Sequence, residues 1–263
     1  MEDASIVIAF WVETLLWISI VLGVLVARRW WTWARVFSGA MIRQWRPALV
    51  IAVLCVVCRA LAGEGVTLDG PVVFCQALIG LALARSIVGY EPLPVTQAVV
   101  RREGAWRRVG MMFVVSLALI PLPIVVSLLG GLGGHLLGET PLTGSSVANS
   151  FPPESWKVFL MMLAGAGIAE ETPYRLVLLS LIWRWARRPW LAIALSAVLF
   201  GIYHLTPLNL FYGTYWQAPI TQFLIPTLGG MVMGYVYVKR GYETAVLGHT
   251  LGDTVIFSLM AAR

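Results

Sequence analysis

Eight stretches of this chain are apolar over lengths that suit a membrane-spanning helix, and this pattern constrains the fold more than anything else in it. A span needs roughly 17–25 predominantly apolar residues, and such runs fall at residues 6–27, 47–62, 71–89, 109–132, 158–183, 190–205, 220–238 and 244–262. The second and sixth are the shortest. With 59% hydrophobic and 12% charged residues and a mean hydropathy of +0.82, the chain is no water-soluble domain of 263 residues. The expected fold is all-α: a polytopic membrane protein of about eight transmembrane helices.

Lys and Arg gather in cytoplasmic loops, so their placement gives an orientation. Arg28, Arg29, Arg35, Arg43 and Arg46 follow span one, Arg101, Arg102, Arg107 and Arg108 follow span three, Arg184, Arg187 and Arg188 follow span five, and Lys239 and Arg240 follow span seven. The opposite loops carry Glu64, Asp69, Glu139 and Glu154, which puts both termini outside the cytoplasm. The net charge of +6 is then a matter of topology and of contact with an anionic lipid bilayer. Basic residues scattered over four loops form no nucleic-acid footprint.

Met1-Glu2-Asp3 lacks the positive start of a cleavable signal, so span one is expected to be retained, with Glu13 near its outer end facing water or a neighbouring helix. Cys55-x-x-Cys58 resembles a redox or metal pair in spacing only. Inside an apolar helix its sulfurs act as small apolar groups, as does that of Cys75. Arg59 and Arg85 are placed to snorkel or to pair with acids. The loop at 91–108, with two basic pairs around Trp106, reads as a cytoplasmic interfacial segment with the indole at headgroup level. The loop at 133–155 is external, long and rich in Gly, Ser, Thr and Pro, and the uncharged aromatic loop at 206–219 suits an outer membrane surface.

Against this apolar background three groups of ionisable residues stand out: Glu170-Glu171-x-x-x-Arg175, Phe200-x-x-x-His204 and His249-x-x-x-Asp253. Charges in a span are costly unless paired and mark a functional site by default. Glu171 and Arg175 lie four apart on one helix face and can form an ion pair where neither could stay alone. Glu170 points about 100° away from Glu171 on a helix and has no sequence-local partner, which leaves it available as a general base. Pro173 removes the helix hydrogen bond to the Ala169 carbonyl and loosens the helix beside the acids. Gly165-Ala166-Gly167, Gly230-x-x-x-Gly234 and Gly248-x-x-x-Gly252 are small-residue stripes that let the last four spans pack closely around a polar centre. Counted from the inner boundary, Glu170 and His204 lie level at roughly 21 and 22 Å, with His249 and Asp253 at roughly 12 and 18 Å. The remaining histidine, His135, sits apart in a glycine-rich turn.

This ordered set of motifs resembles the signature of the CPBP family, the CAAX-protease and bacteriocin-processing (ABI) intramembrane proteases. The resemblance covers about residues 158–263 and rests on all three motifs in order on separate spans. It implies a catalytic helical core at 158–263, an external loop at 134–157 and N-terminal scaffold helices at 1–133, with the active site among the last four helices. It implies an address in the bacterial inner membrane. Glu170 would activate water, His204 would be its catalytic partner, and His249 with the residue at 253 would stabilise the oxyanion. Glu171, Arg175 and Phe200 would support them. The family's usual last residue is Asn, whereas this chain has Asp253, and a carboxylate donates to an oxyanion only when protonated.

Peptide hydrolysis needs a base for water, an acid for the leaving amine and donors for the oxyanion, and Glu170, His204 and His249 are of the right types. No cofactor is then required. The alternative is a Zn2+ site made by Glu170, His204 and His249, the right ligand types without the usual His-Glu-x-x-His spacing. The expected substrate is a membrane-embedded or lipid-anchored protein or peptide: a prenylated CAAX-type tail, a leader peptide or a C-terminal sorting segment. Two other readings use the same residues, a proton-coupled carrier and a non-proteolytic scaffold or immunity protein. A carrier predicts related halves, and the sequence shows no internal repeat.

Overall fold

The computed structural model describes residues 30–64, 69–139, 151–206 and 218–261. The expected first span with Glu13, the middle of the external loop and most of the 206–219 loop lie outside them. Among the described residues every regular element is helical and there is no strand.

Helix α1 (Trp30–Ala62) lies against α2 (Asp69–Arg85), and the turn between them is pinned by Arg59, whose Nη1 sits 3.4 Å from Glu64 and 3.0 Å from Asp69. The short α3 (Pro94–Arg101) leads to α4 (Ala105–Ala118) and α5 (Leu122–Leu136). The expected run at 109–132 is thus two helices. Pro121 and Pro123 lack the N–H that a continuing helix would use, and the chain turns between Leu119 and Pro121 before winding again.

Helix α6 spans residues 155–186. It is α-helical over Ser155–Met162 and Ser180–Ala186, and wound in the wider π form over Leu163–Glu170 and Thr172–Leu179. Pro173 cannot donate to the preceding turn. Thr172 instead donates its hydroxyl to the Ile168 carbonyl at 2.6 Å. The loosening expected at one residue therefore extends to both sides of Glu171. All eight residues of the second π stretch are buried, making this the central helix of the molecule.

Around it stand α7 (Pro189–Tyr203), α8 (Pro219–Arg240) and α9 (Tyr242–Ala261). Glycines set the close approaches: a Cβ at Gly80 on α2 would strike Leu176 on α6, and one at Gly201 on α7 would strike Thr227 on α8. Gly230 and Gly234 pack on Ala197 and Ile193 of α7, as the stripe predicted. The Gly248/Gly252 stripe does not face the other late helices. It seats against Leu119 and Pro123, because the proline turn between α4 and α5 fills that side of α9. Cys55 and Cys58 are buried, unpaired by any disulfide, in the apolar core of α1, α2 and α6. Arg85 pairs with Glu91 at 3.0 Å. Glu139, just past α5, accepts from the backbone N–H groups of Ile220 and Thr221 at 2.5 and 2.9 Å and so caps the start of α8.

Two stretches, Ser38–Ala62 and Ala105–Leu136, have by themselves the length and hydropathy of a membrane crossing. Their outer faces are studded with exposed Leu, Val, Ile and Phe, a surface that suits lipid rather than water. The protein is integral to a membrane.

Candidate active site

The site grows from the π-wound part of α6. Glu171 and Arg175 are fully buried, with Arg175 Nε 3.2 Å from Glu171 Oε2, the ion pair that the i, i+4 spacing predicts. Glu171 Oε1 meets His249 Nδ1 of α9 at 2.9 Å. His249 Nε2 in turn lies 3.4 Å from Asp253 Oδ2, one helical turn further along. Arg175, Glu171, His249 and Asp253 therefore form one connected chain of polar contacts across two helices. The bond from Glu171 to His249 escaped the sequence reading. Its one legible trace is Gly167, where a Cβ would collide with Thr250, so the two helices touch beside these residues.

Helix α7 supplies the aromatic wall. The Phe200 ring lies 5.0 Å beneath the Arg175 guanidinium, 4.6 Å from the His204 ring and 6.4 Å from the His249 ring. A cation over an aromatic face is stabilised there, and the ring is what meets the guanidinium where Nη1 and Nη2 have no hydrogen-bond partner among the described residues. Tyr174, buried at 4.8 Å from the Phe200 ring, supports it and was not singled out from sequence. As a residue inside an apolar run it carried no motif.

His204 follows the last turn of α7, and its Nδ1 sits 2.8 Å from the Phe200 carbonyl oxygen. A carbonyl only accepts, so Nδ1 carries the proton and Nε2 of the neutral ring keeps its lone pair. Glu170 is partly buried and makes no hydrogen bond or ion pair among the described residues. The charges of His249, Asp253, Glu171 and Arg175 act on it, and those of His249, Asp253 and Arg175 act on His204. Glu170 and His204 thus share neighbours without touching each other.

His249 has both ring nitrogens committed to carboxylates, and among the described residues no three His, Cys, Asp or Glu side chains converge on one point. The set Glu170, His204 and His249 does not form a cation cage in this geometry.

Residues 152–255 match the family model described as type II CAAX prenyl endopeptidase Rce1-like. The matched segment is similar to the family that the three motifs resemble, and it contains every residue of the site. No curated protein and no solved structure matches the chain.

Proposed function

We propose that this protein is an intramembrane endopeptidase that hydrolyses a peptide bond of a membrane-associated substrate, a prenylated C-terminal tail being the class the matched family acts on. The observation that carries the reading is the contrast between adjacent carboxylates. Glu171 is spent on holding Arg175 and His249, whereas Glu170 is bonded to nothing among the described residues and lies within range of the same charges.

In this mechanism Glu170 takes a proton from a water molecule, whose oxygen adds to the scissile carbonyl. His204, fixed by its bond to the Phe200 carbonyl, holds that water at Nε2 and then relays a proton to the departing amine. Glu171 anchors His249 at Nδ1, so that its Nε2–H serves as the donor to the developing oxyanion. The carboxylate of Asp253 occupies that donor at rest, and its 3.4 Å contact is long enough to be exchanged for a substrate oxygen. The helices of the N-terminal half act as scaffold: α2 seats the π-wound segment at Gly80, and the α4–α5 turn seats α9 at Gly248.

The test is a mass-spectrometric comparison of membrane-protein termini between wild-type cells and a Glu170→Ala strain with equal amounts of the protein. Termini that disappear in the variant are the expected result and would reveal the substrate. Identical termini under conditions that express the protein would overturn the reading.

A further inference from the structure

A concave site lies away from these residues, at the turn that joins the last two helices. A cleft of about 400 Å³ opens between α3, the start of α4 and the end of α8, lined by Gln97, Arg101, Arg108, Lys239 and Arg240. It begins where α8 turns into α9 at Gly241, roughly 12 Å along the helix from His249. Its walls are fixed. Glu243 of α9 accepts from the backbone N–H groups of Val95 and Thr96 at 3.1 and 2.6 Å, and Tyr242 donates its N–H to the Pro92 carbonyl at 2.8 Å, so α3 is tied to the α8–α9 turn. The left-handed Arg102 and Gly104, at φ 57° and 61°, fold α4 back so that Arg101 and Arg108 line the same hollow.

The charges in this cleft are unmatched. None of Arg101, Arg108, Lys239 and Arg240 forms an ion pair among the described residues. Of the two carboxylates in the lining, Glu91 is taken by Arg85 at 3.0 Å, which leaves Glu103 against four cations. Lys239 and Arg240 partly offset the negative end of α8, but Arg108 sits in the first turn of α4, where the helix dipole disfavours a cation. An anion in the cleft would relieve that. The flanking surface is apolar: Val99, Val100 and Trp106 are 53%, 76% and 89% exposed beside these arginines. Such a combination of basic hollow and greasy rim suits the boundary between headgroups and acyl chains.

We propose that this cleft binds the phosphate-bearing headgroup of one anionic phospholipid, whose acyl chains lie over Val99, Val100 and Trp106. The lipid would fasten α3 and the α8–α9 turn to the bilayer surface, independently of any peptidase activity.

The test is native mass spectrometry of the delipidated protein in neutral detergent, with phosphatidylglycerol, phosphatidylcholine or inorganic phosphate added, on wild type and the double variant Arg101→Gln/Arg108→Gln. Wild type is expected to retain one phosphatidylglycerol in preference to phosphatidylcholine, and the variant to bind it on the order of tenfold more weakly with an unchanged melting temperature. Equal retention of the two lipids, or equal phosphatidylglycerol binding by the variant, would overturn the proposal. Displacement of the lipid by millimolar phosphate or by an oligoglutamate peptide would also overturn it, assigning the cleft to a free anion or an acidic segment.

Discussion

Glu171 Oε1 lies 2.9 Å from His249 Nδ1 while Glu171 Oε2 lies 3.2 Å from Arg175 Nε, so one fully buried carboxylate holds α6 and α9 in register over a separation of 78 residues. Removing it would leave a buried guanidinium with no counter-charge. Breaking a buried pair in this way costs about 3–5 kcal/mol. Glu171→Ala is therefore expected to lower the unfolding midpoint in detergent steeply and to reduce abundance in the membrane. A wild-type midpoint for that variant would show that the chain of polar contacts does not hold the helices together.

His204 stands in a different position, since among the described residues its one hydrogen bond is the one from Nδ1 to the Phe200 carbonyl. Loss of a neutral hydrogen bond costs about 0.5–1.5 kcal/mol, whereas loss of an acid–base group lowers the chemical step by roughly 10²–10⁴-fold. For His204→Gln the expectation is a fall in kcat of that order on a fluorescence-quenched prenylated peptide, with KM and thermal stability nearly unchanged. A parallel rise in KM with kcat intact would move His204 from the chemistry to substrate binding.

What the sequence disclosed and what it hid follow from the range of the interactions. The pairs Glu171–Arg175 and His249–Asp253 are four residues apart, and helical geometry alone brings such side chains together. Pro173 foretold a missing hydrogen bond, yet the spread of π winding on both sides of Glu171 did not follow, because a segment so largely apolar has no regular polar stripe from which to read its period. The small-residue stripe at Gly248 and Gly252 announced a close neighbour without naming it, and the neighbour is the turn at Leu119–Pro123. Likewise hydropathy merged α4 and α5 into one run, since Pro121 counts little in an apolar average although it ends a helix. The bond from Glu171 to His249 depends on tertiary distance alone, which no single chain of letters carries.

Asp253 replaces the Asn usual in the resembling family, and the structure gives the substitution a consequence: a charged oxygen 3.4 Å from His249 Nε2, at the donor an oxyanion would use. Asn presents no negative charge there. If the oxyanion competes with Asp253 for that proton, Asp253→Asn should raise kcat by roughly 2–10-fold, the equivalent of one ordinary hydrogen bond. Steady-state rates on the same prenylated peptide decide the matter. A hundredfold loss in Asp253→Asn would make the carboxylate itself a required group.

Beyond the end of the apolar stretch Ala105–Leu136, Glu139 caps α8 from another part of the chain by accepting from Ile220 and Thr221. Burial alone would raise its carboxyl, but the backbone N–H groups of Thr221 and Ile220 and the Thr221 hydroxyl outweigh it and hold the group below its ordinary value of 4.5. A carboxyl depressed by folding contributes stability that is present above its unfolded value and lost as the pH falls through its folded one. Glu139→Gln removes the charge from the cap, where such residues contribute about 1 kcal/mol. The variant is thus expected to melt a few degrees below wild type at neutral pH, with the gap closing as the pH is taken below 4.5. Melting curves of both proteins across that range test it, and a gap that stays constant into acid would mean that the charge of Glu139 contributes nothing to the cap.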